Sequence, residues 1–108
     1  MSKAKLISYT LNDFSTEIEM ESFLHFMEKN GDEMYKKLKK YGLLRWRVNH
    51  VWNKGGGFAL SSIFEYKDEK AFKACLPVWK EIDAMESEDM VIKTVSNRGI
   101  VLEDTILV

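Results

Sequence analysis

A single cysteine, Cys75, stands among the 108 residues. A lone thiol closes no intramolecular disulfide and supplies no thiolate cluster for zinc, so no structural metal centre of that kind is expected. Charge of one sign is also missing, because sixteen Lys and Arg meet seventeen Asp and Glu for a formal net charge of −1. Without a basic surplus no surface follows a phosphate backbone, and nucleic acid is not an expected partner. The one basic cluster, Lys36, Lys37, Lys39 and Lys40, follows acidic residues and reads as the solvated end of a helix. No stretch approaches the ~18 apolar residues that a membrane span requires. The polar start Met1-Ser2-Lys3-Ala4-Lys5 leads into no apolar secretory core. The expected location is therefore the cytoplasm, with no membrane partner. Repeats, low-complexity segments and linkers are absent, so residues 1–108 are read as one domain.

The remaining composition is that of a folded chain, 45% hydrophobic and 31% charged. Leu6 to Leu11 is rich in β-branched and aromatic residues and predicts a first strand. Thr16 with Glu19 has the spacing of a capping box, and Met20, Phe23, Leu24, Met27, Met34, Leu38 and Tyr41 then recur at helical steps. Asn30-Gly31 is expected to split this stripe into two segments, the second ended by Gly42. After a central hairpin, Asp68 is a candidate cap for a second helix bearing Phe72, Leu76, Trp79 and Ile82. Pro77 either kinks that helix or opens a new segment. Met90 to Ser96 predicts a fourth strand, Asn97-Arg98-Gly99 a turn, and Ile100 to Val108 a last strand or extended arm.

The hairpin carries the sharpest local signal. Leu44, Trp46, Val48, His50 and Trp52 alternate with Arg45, Arg47, Asn49 and Val51, and Asn53 to Gly57 form the turn before the return strand Phe58 to Tyr66. Pairing residues whose numbers sum to 110 sets Trp46 against Phe64, His50 against Leu60 and Arg45 against Glu65. A slip of one residue would transfer the aromatic set to the other face, so the pattern selects its own register. The face bearing Trp46, Val48, Trp52, Phe58, Leu60 and Phe64 is expected beneath the helices.

The order β-α-β-β-α-β with a tail gives an α+β, ferredoxin-like antiparallel sheet with both helices on one face. Its other face mixes Arg45, Arg47, Asn49, Ser61 and Glu65 with Val51, Ala59 and Ile63. That mixture suits contact with a twofold mate. The apolar tail, left uncovered, would invite aggregation, which is a second reason to expect a homodimer.

With this order, Gly-Asp-Glu-Met-Tyr-Lys-Lys-Leu-Lys-Lys-Tyr-Gly (31–42) running into Leu-Leu-Arg-Trp-Arg-Val resembles the dimeric α/β-barrel superfamily. So does the strand-to-helix joint Ile-Phe-Glu-Tyr-Lys-Asp-Glu-Lys-Ala-Phe (63–72). The resemblance spans nearly the whole chain and concerns the fold. It implies a pocket between sheet and helices, in a superfamily that includes cofactor-independent monooxygenases, haem-binding and haem-degrading enzymes, small isomerases and dehydratases.

His50 is then the candidate catalytic group, since imidazole titrates near neutrality; the plainer reading is a histidine hydrogen-bonded at the core edge. Trp46, Trp52, Phe64 and Trp79 are candidates to line a pocket for a small hydrophobic or aromatic ligand, or else simply to pack the core. The Asn, Trp and His constellation of haem degradation is not found at matching positions, and no cofactor is expected. His25, among Glu21, Glu28 and Lys29, reads as surface, and Cys75 has no neighbouring base in sequence. The Arg45/Arg47 face lacks the aromatic platforms an RNA-binding sheet needs. Two functions stand open: a small-molecule-binding, monooxygenase-like protein without a bound cofactor, and a non-catalytic homo-oligomeric module using the sheet face and the tail.

Overall fold

The computed structural model describes residues 3–53, 57–85 and 92–108. Six elements follow one another: β1 (Leu6–Phe14), α1 (Glu17–Lys40), β2 (Leu43–His50), β3 (Phe58–Tyr66), α2 (Glu69–Met85) and β4 (Ile92–Ile100). The strands form one antiparallel sheet in the order β2-β3-β1-β4, which is the ferredoxin-like α+β arrangement with an extended arm after β4. The helices pack on β1, β2 and β3. Between helices and sheet lies the core, built around Phe14, Phe23, Met34, Leu38, Leu60 and Tyr66.

Helix α1 starts where the capping pattern places it. The Thr16 hydroxyl accepts from the Glu19 amide at 3.2 Å, and the Glu19 carboxylate reaches back to the Ser15 amide at 3.2 Å. The expected break at Asn30-Gly31 does not occur; the helix runs unbroken for 24 residues. Gly31 is instead a packing residue, because a Cβ there would stand 3.1 Å from the Tyr35 ring. Gly42 ends the connection to β2 with φ of 109°. A side chain is doubly excluded there, since its Cβ would fall 2.4 Å from the Ala71 Cβ. Helix α2 is capped by Asp68, whose Oδ1 accepts from the Ala71 amide at 2.8 Å. Pro77 lies inside α2 without dividing it. The helix buries Ala71, Cys75, Val78 and Ile82, and the expected residues Phe72, Leu76, Trp79 and Ile82 all border the space between α2 and the sheet, Leu76 at its more exposed side.

The hairpin register is the one its pattern selects: Trp46 pairs with Phe64, His50 with Leu60 and Arg45 with Glu65. Two positions differ from expectation. A bulge between Leu43 and Arg45 brings Leu43, not Leu44, opposite Tyr66, so Leu43 is buried and Leu44 exposed. Trp52 does not join the core face and is 91% exposed. It follows the bond from the Val51 amide to the Ala59 carbonyl at 3.0 Å and lies past the end of β2 at His50, outside the strand pairing that would hold it on the core face. The centre of the glycine turn, residues 54–56, and the start of the fourth strand at Met90 lie outside the described residues.

Asn97-Arg98-Gly99 is not a turn. These residues pair with Tyr9, Ser8 and Ile7 inside β4, because nine ladder positions along β1 outweigh a local turn preference. The tail therefore begins at residue 101 as an arm without strand pairing. Its first amide, Val101, donates to the Lys5 carbonyl at 2.9 Å, and Leu102 beyond it is 95% exposed.

Candidate functional site

Side chains of one strand alternate between the two faces of the sheet. Along β1, Leu6, Ser8, Thr10, Asn12 and Phe14 face the helices, whereas Ile7, Tyr9, Leu11 and Asp13 face away. The centre of the strand is thus polar inside and apolar outside, the reverse of a sheet with one wet face. Ser8 and Asn12 are buried, and so is their neighbour Ser62 on β3.

The reason is a cavity of about 530 Å³ between the sheet and the two helices. Its floor is the polar row of β1 continued by Ser62, Thr94 and Ser96. Two bonds order that floor: Thr10 and Ser96 hydroxyls lie 2.9 Å apart, and Thr94 donates to Asn12 Oδ1 at 3.0 Å. Ser8 and Ser62 also line the cavity, but their hydroxyls have no side-chain hydrogen bond among the described residues. The opposite end is aromatic. Trp46, Phe64 and Trp79 form a mutually tilted trio with ring centroids 4.9 to 5.2 Å apart, and Tyr35 meets Trp46 edge-on from behind. The Trp46 indole N–H is buried and finds no acceptor among the described residues.

Tyr66 and Trp79 join the wall to the core. The Trp79 indole N–H donates to the Tyr66 hydroxyl at 2.8 Å. Burial pushes the Tyr66 phenol up to about 12, against a smaller opposing effect of that bond. The phenol therefore stays protonated well above neutral pH, and Tyr66 presents a neutral polar group to the cavity it lines. Cys75 behind it is fully buried and donates to the Leu38 carbonyl at 3.7 Å; desolvation raises its thiol pKa, which suppresses the thiolate. At the rim, desolvation also raises the Asp83 carboxyl. Arg98 stands across from α2 with its guanidinium 4.8 Å from the centre of the Phe72 ring.

Of the five residues singled out from sequence, Trp46, Phe64 and Trp79 come together on this cavity. Trp52 stays outside it, in solvent. His50 lies at the end of β2, exposed, and is not part of the cavity wall. The polar floor and Arg98 escaped sequence reasoning. A signal for the floor existed in the inverted alternation of Ser8, Thr10 and Asn12 between apolar neighbours. For Arg98 none did, because its segment resembles a turn. His25 is exposed, and the described residues contain no group of three His, Cys, Asp or Glu able to hold a metal. Nor do they include a helix long and apolar enough to cross a membrane.

Solved structures of the same fold exist. A dimeric ferredoxin-like protein from an uncultured marine organism shares 26% identity with a TM-score of 0.83, covering 95% of this chain and 99% of its own. A second such dimeric protein, also from an uncultured marine organism, shares 29% identity with a TM-score of 0.78, covering 95% and 100%. A monooxygenase of Streptomyces coelicolor in complex with nanaomycin D has the same fold at 13% identity and a TM-score of 0.59, with 94% of each chain covered. No curated protein matches the sequence. Residues 3–101 match the domain of unknown function DUF6974, and the chain belongs to that family.

Proposed function

We propose that this protein is a homodimeric small-molecule-binding protein whose cavity receives an aromatic or otherwise flat hydrophobic ligand. The carrying observation is the cavity itself, in which an aromatic trio faces a floor of hydroxyls and an amide. A core built only for stability would fill that space with apolar side chains and would not bury Ser8, Asn12 and Ser62 on its floor. The nanaomycin D complex of a protein with this fold supports the reading at the level of ligand shape. In an enzymatic form the protein acts in monooxygenase-like fashion with no cofactor of its own: dioxygen is the oxidant, one of its atoms entering the bound molecule and the other leaving as water, with both reducing electrons drawn from that molecule. The Tyr66 phenol then serves as a neutral polar group of the cavity wall, while His50, expected from the sequence as the catalytic group, stands outside the cavity and takes no part in that chemistry.

Two features support the dimer. The outer sheet face carries Ile7, Tyr9, Leu11, Ile63 and Val95, an apolar set with no cover in one subunit. The two most similar structures described above are themselves dimeric proteins. Leu11→Lys on this face should convert the dimer to a monomer in analytical ultracentrifugation. An unchanged sedimentation coefficient would argue against this face as the contact.

The cavity is tested by titrating 2-naphthamide against the fluorescence of Trp46 and Trp79. Saturable quenching is expected, weakened at least tenfold by Ser96→Phe, which fills the cavity from an exposed strand position. Equal binding by the variant would remove the cavity from consideration. A second reading, a non-catalytic assembly module, draws on the exposed arm with Leu102 and Leu107. It predicts that removing residues 101–108 changes the oligomer while 2-naphthamide fails to bind.

A further inference from the structure

The inner face of the sheet carries a gradient. Read across the four strands at one level, β4, β1, β3 and β2 contribute Arg98, Ser8, Phe64 and Trp46 in a continuous line. All four line the cavity. The line thus passes from a cation through a hydroxyl to two aromatic rings. With strands about 4.8 Å apart, its ends are on the order of 14 Å apart.

Arg98 has features of a binding group. Its guanidinium lies over the Phe72 ring, a cation–π contact, and its N–H donors make no side-chain hydrogen bond among the described residues. Among the described residues no carboxylate lies within ion-pairing distance of it, although the surface arginines Arg45 and Arg47 both share Glu65. The other charged groups of the cavity are Lys80 and Asp83, both on α2, so the lining carries one more cation than anion. Next to Arg98 in the line, the Ser8 hydroxyl likewise has no side-chain partner among the described residues.

We infer that the ligand bears an anionic group, a carboxylate or its like, at one end of its apolar body, and that Arg98 and Ser8 bind that group. This assignment rests on the cavity reading and adds the polarity and the direction of the ligand. The flat body lies against Trp46, Phe64 and Trp79, and the anion points toward β4. A body of two or three fused rings with a terminal carboxylate spans the line. A longer anion-free hydrocarbon would cover the Ser8 hydroxyl and the arginine without giving either a partner, which disfavours it.

The experiment compares 2-naphthoate with 2-naphthamide, molecules of the same shape that differ in charge, by fluorescence titration of the intact protein. A charge-assisted contact predicts that the native protein binds 2-naphthoate at least tenfold more tightly. In Arg98→Gln this preference should fall to less than threefold, the larger part of the loss falling on 2-naphthoate, and Arg98→Lys should restore part of it. Raising the salt concentration should weaken 2-naphthoate alone. If both probes bind equally to the native protein, or if Arg98→Gln keeps the preference, the anion assignment is overturned while the cavity reading stands. If neither probe binds, both are overturned.

Discussion

The two halves of the inner sheet face are built on opposite rules. Over β2 and β3 the side chains facing the helices are mostly large and apolar: Trp46, Val48, Phe58, Leu60 and Phe64 pack under the helices, with Ser62 as a polar exception. Over β1 and β4 the same pleat presents Ser8, Thr10, Asn12, Thr94 and Ser96, and the helices stand back from β4. The first half supplies the packing and the aromatic wall of the cavity, and the second supplies its polar groups. A sheet covered evenly by helices has no reason to place hydroxyls inward, because each buried polar atom needs a partner. Here those partners are one another, in the Thr10–Ser96 and Thr94–Asn12 pairs, with Ser8 and Ser62 left to meet a ligand.

Substitutions should divide along that line. The largest effect is expected from Phe64→Ala in the packed half, where removing a buried ring costs about 3–5 kcal/mol in urea denaturation. A comparable loss from Ser96→Ala would erase the distinction between the halves; that change should cost under about 1 kcal/mol.

Next in size is an alkaline effect at the seam between them. Tyr66 has its pKa raised from 10.0 to about 12 in the folded protein. The folded state therefore holds the phenolic proton more tightly than the unfolded state. This stabilisation is fully present below pH 10 and is lost as pH rises towards 12, by roughly 2 kcal/mol. Urea melts of the native protein and Tyr66→Phe across that window should show a steeper decline for the native protein. Parallel declines would remove Tyr66 as the cause. The same variant leaves the Trp79 N–H without its acceptor and should cost about 1–2 kcal/mol at neutral pH.

Smaller still are the peripheral changes. Trp52→Ser should alter stability by less than about 0.5 kcal/mol, since the ring contributes exposed rather than packed area. His50→Ala should change 2-naphthamide affinity less than twofold, because His50 does not border the cavity. A tenfold loss in that titration would extend the binding site to the far end of β2.

The same division governs what could be read in advance. The β2–β3 hairpin was legible because each of its positions repeats one message. Trp46 with Phe64 and Arg45 with Glu65 agree on one register, and any slip violates both. The helix caps at Thr16 and Asp68 were legible because capping is a local exchange between a side chain and amides three residues on. The expected break at Gly31 failed because the glycine answers to Tyr35, a neighbour that only the folded helix supplies. The expected turn at Asn97 to Gly99 failed because β1 supplies its pairing from the other end of the chain.

The sequence by itself determined the order of elements, the hairpin register, the aromatic cluster and the absence of a charge excess. These follow from periodicity, near-neighbour chemistry and composition, all of which are written along the chain. Only the tertiary structure decided that Ser8, Thr10 and Asn12 face inward and that Arg98 and Phe72 meet. It also decided that Trp52 and His50 stand apart from the cavity. The physical reason is that a cavity is space left between distant segments: its outline depends on how α2 sits over β1 and β4, which no local pattern encodes.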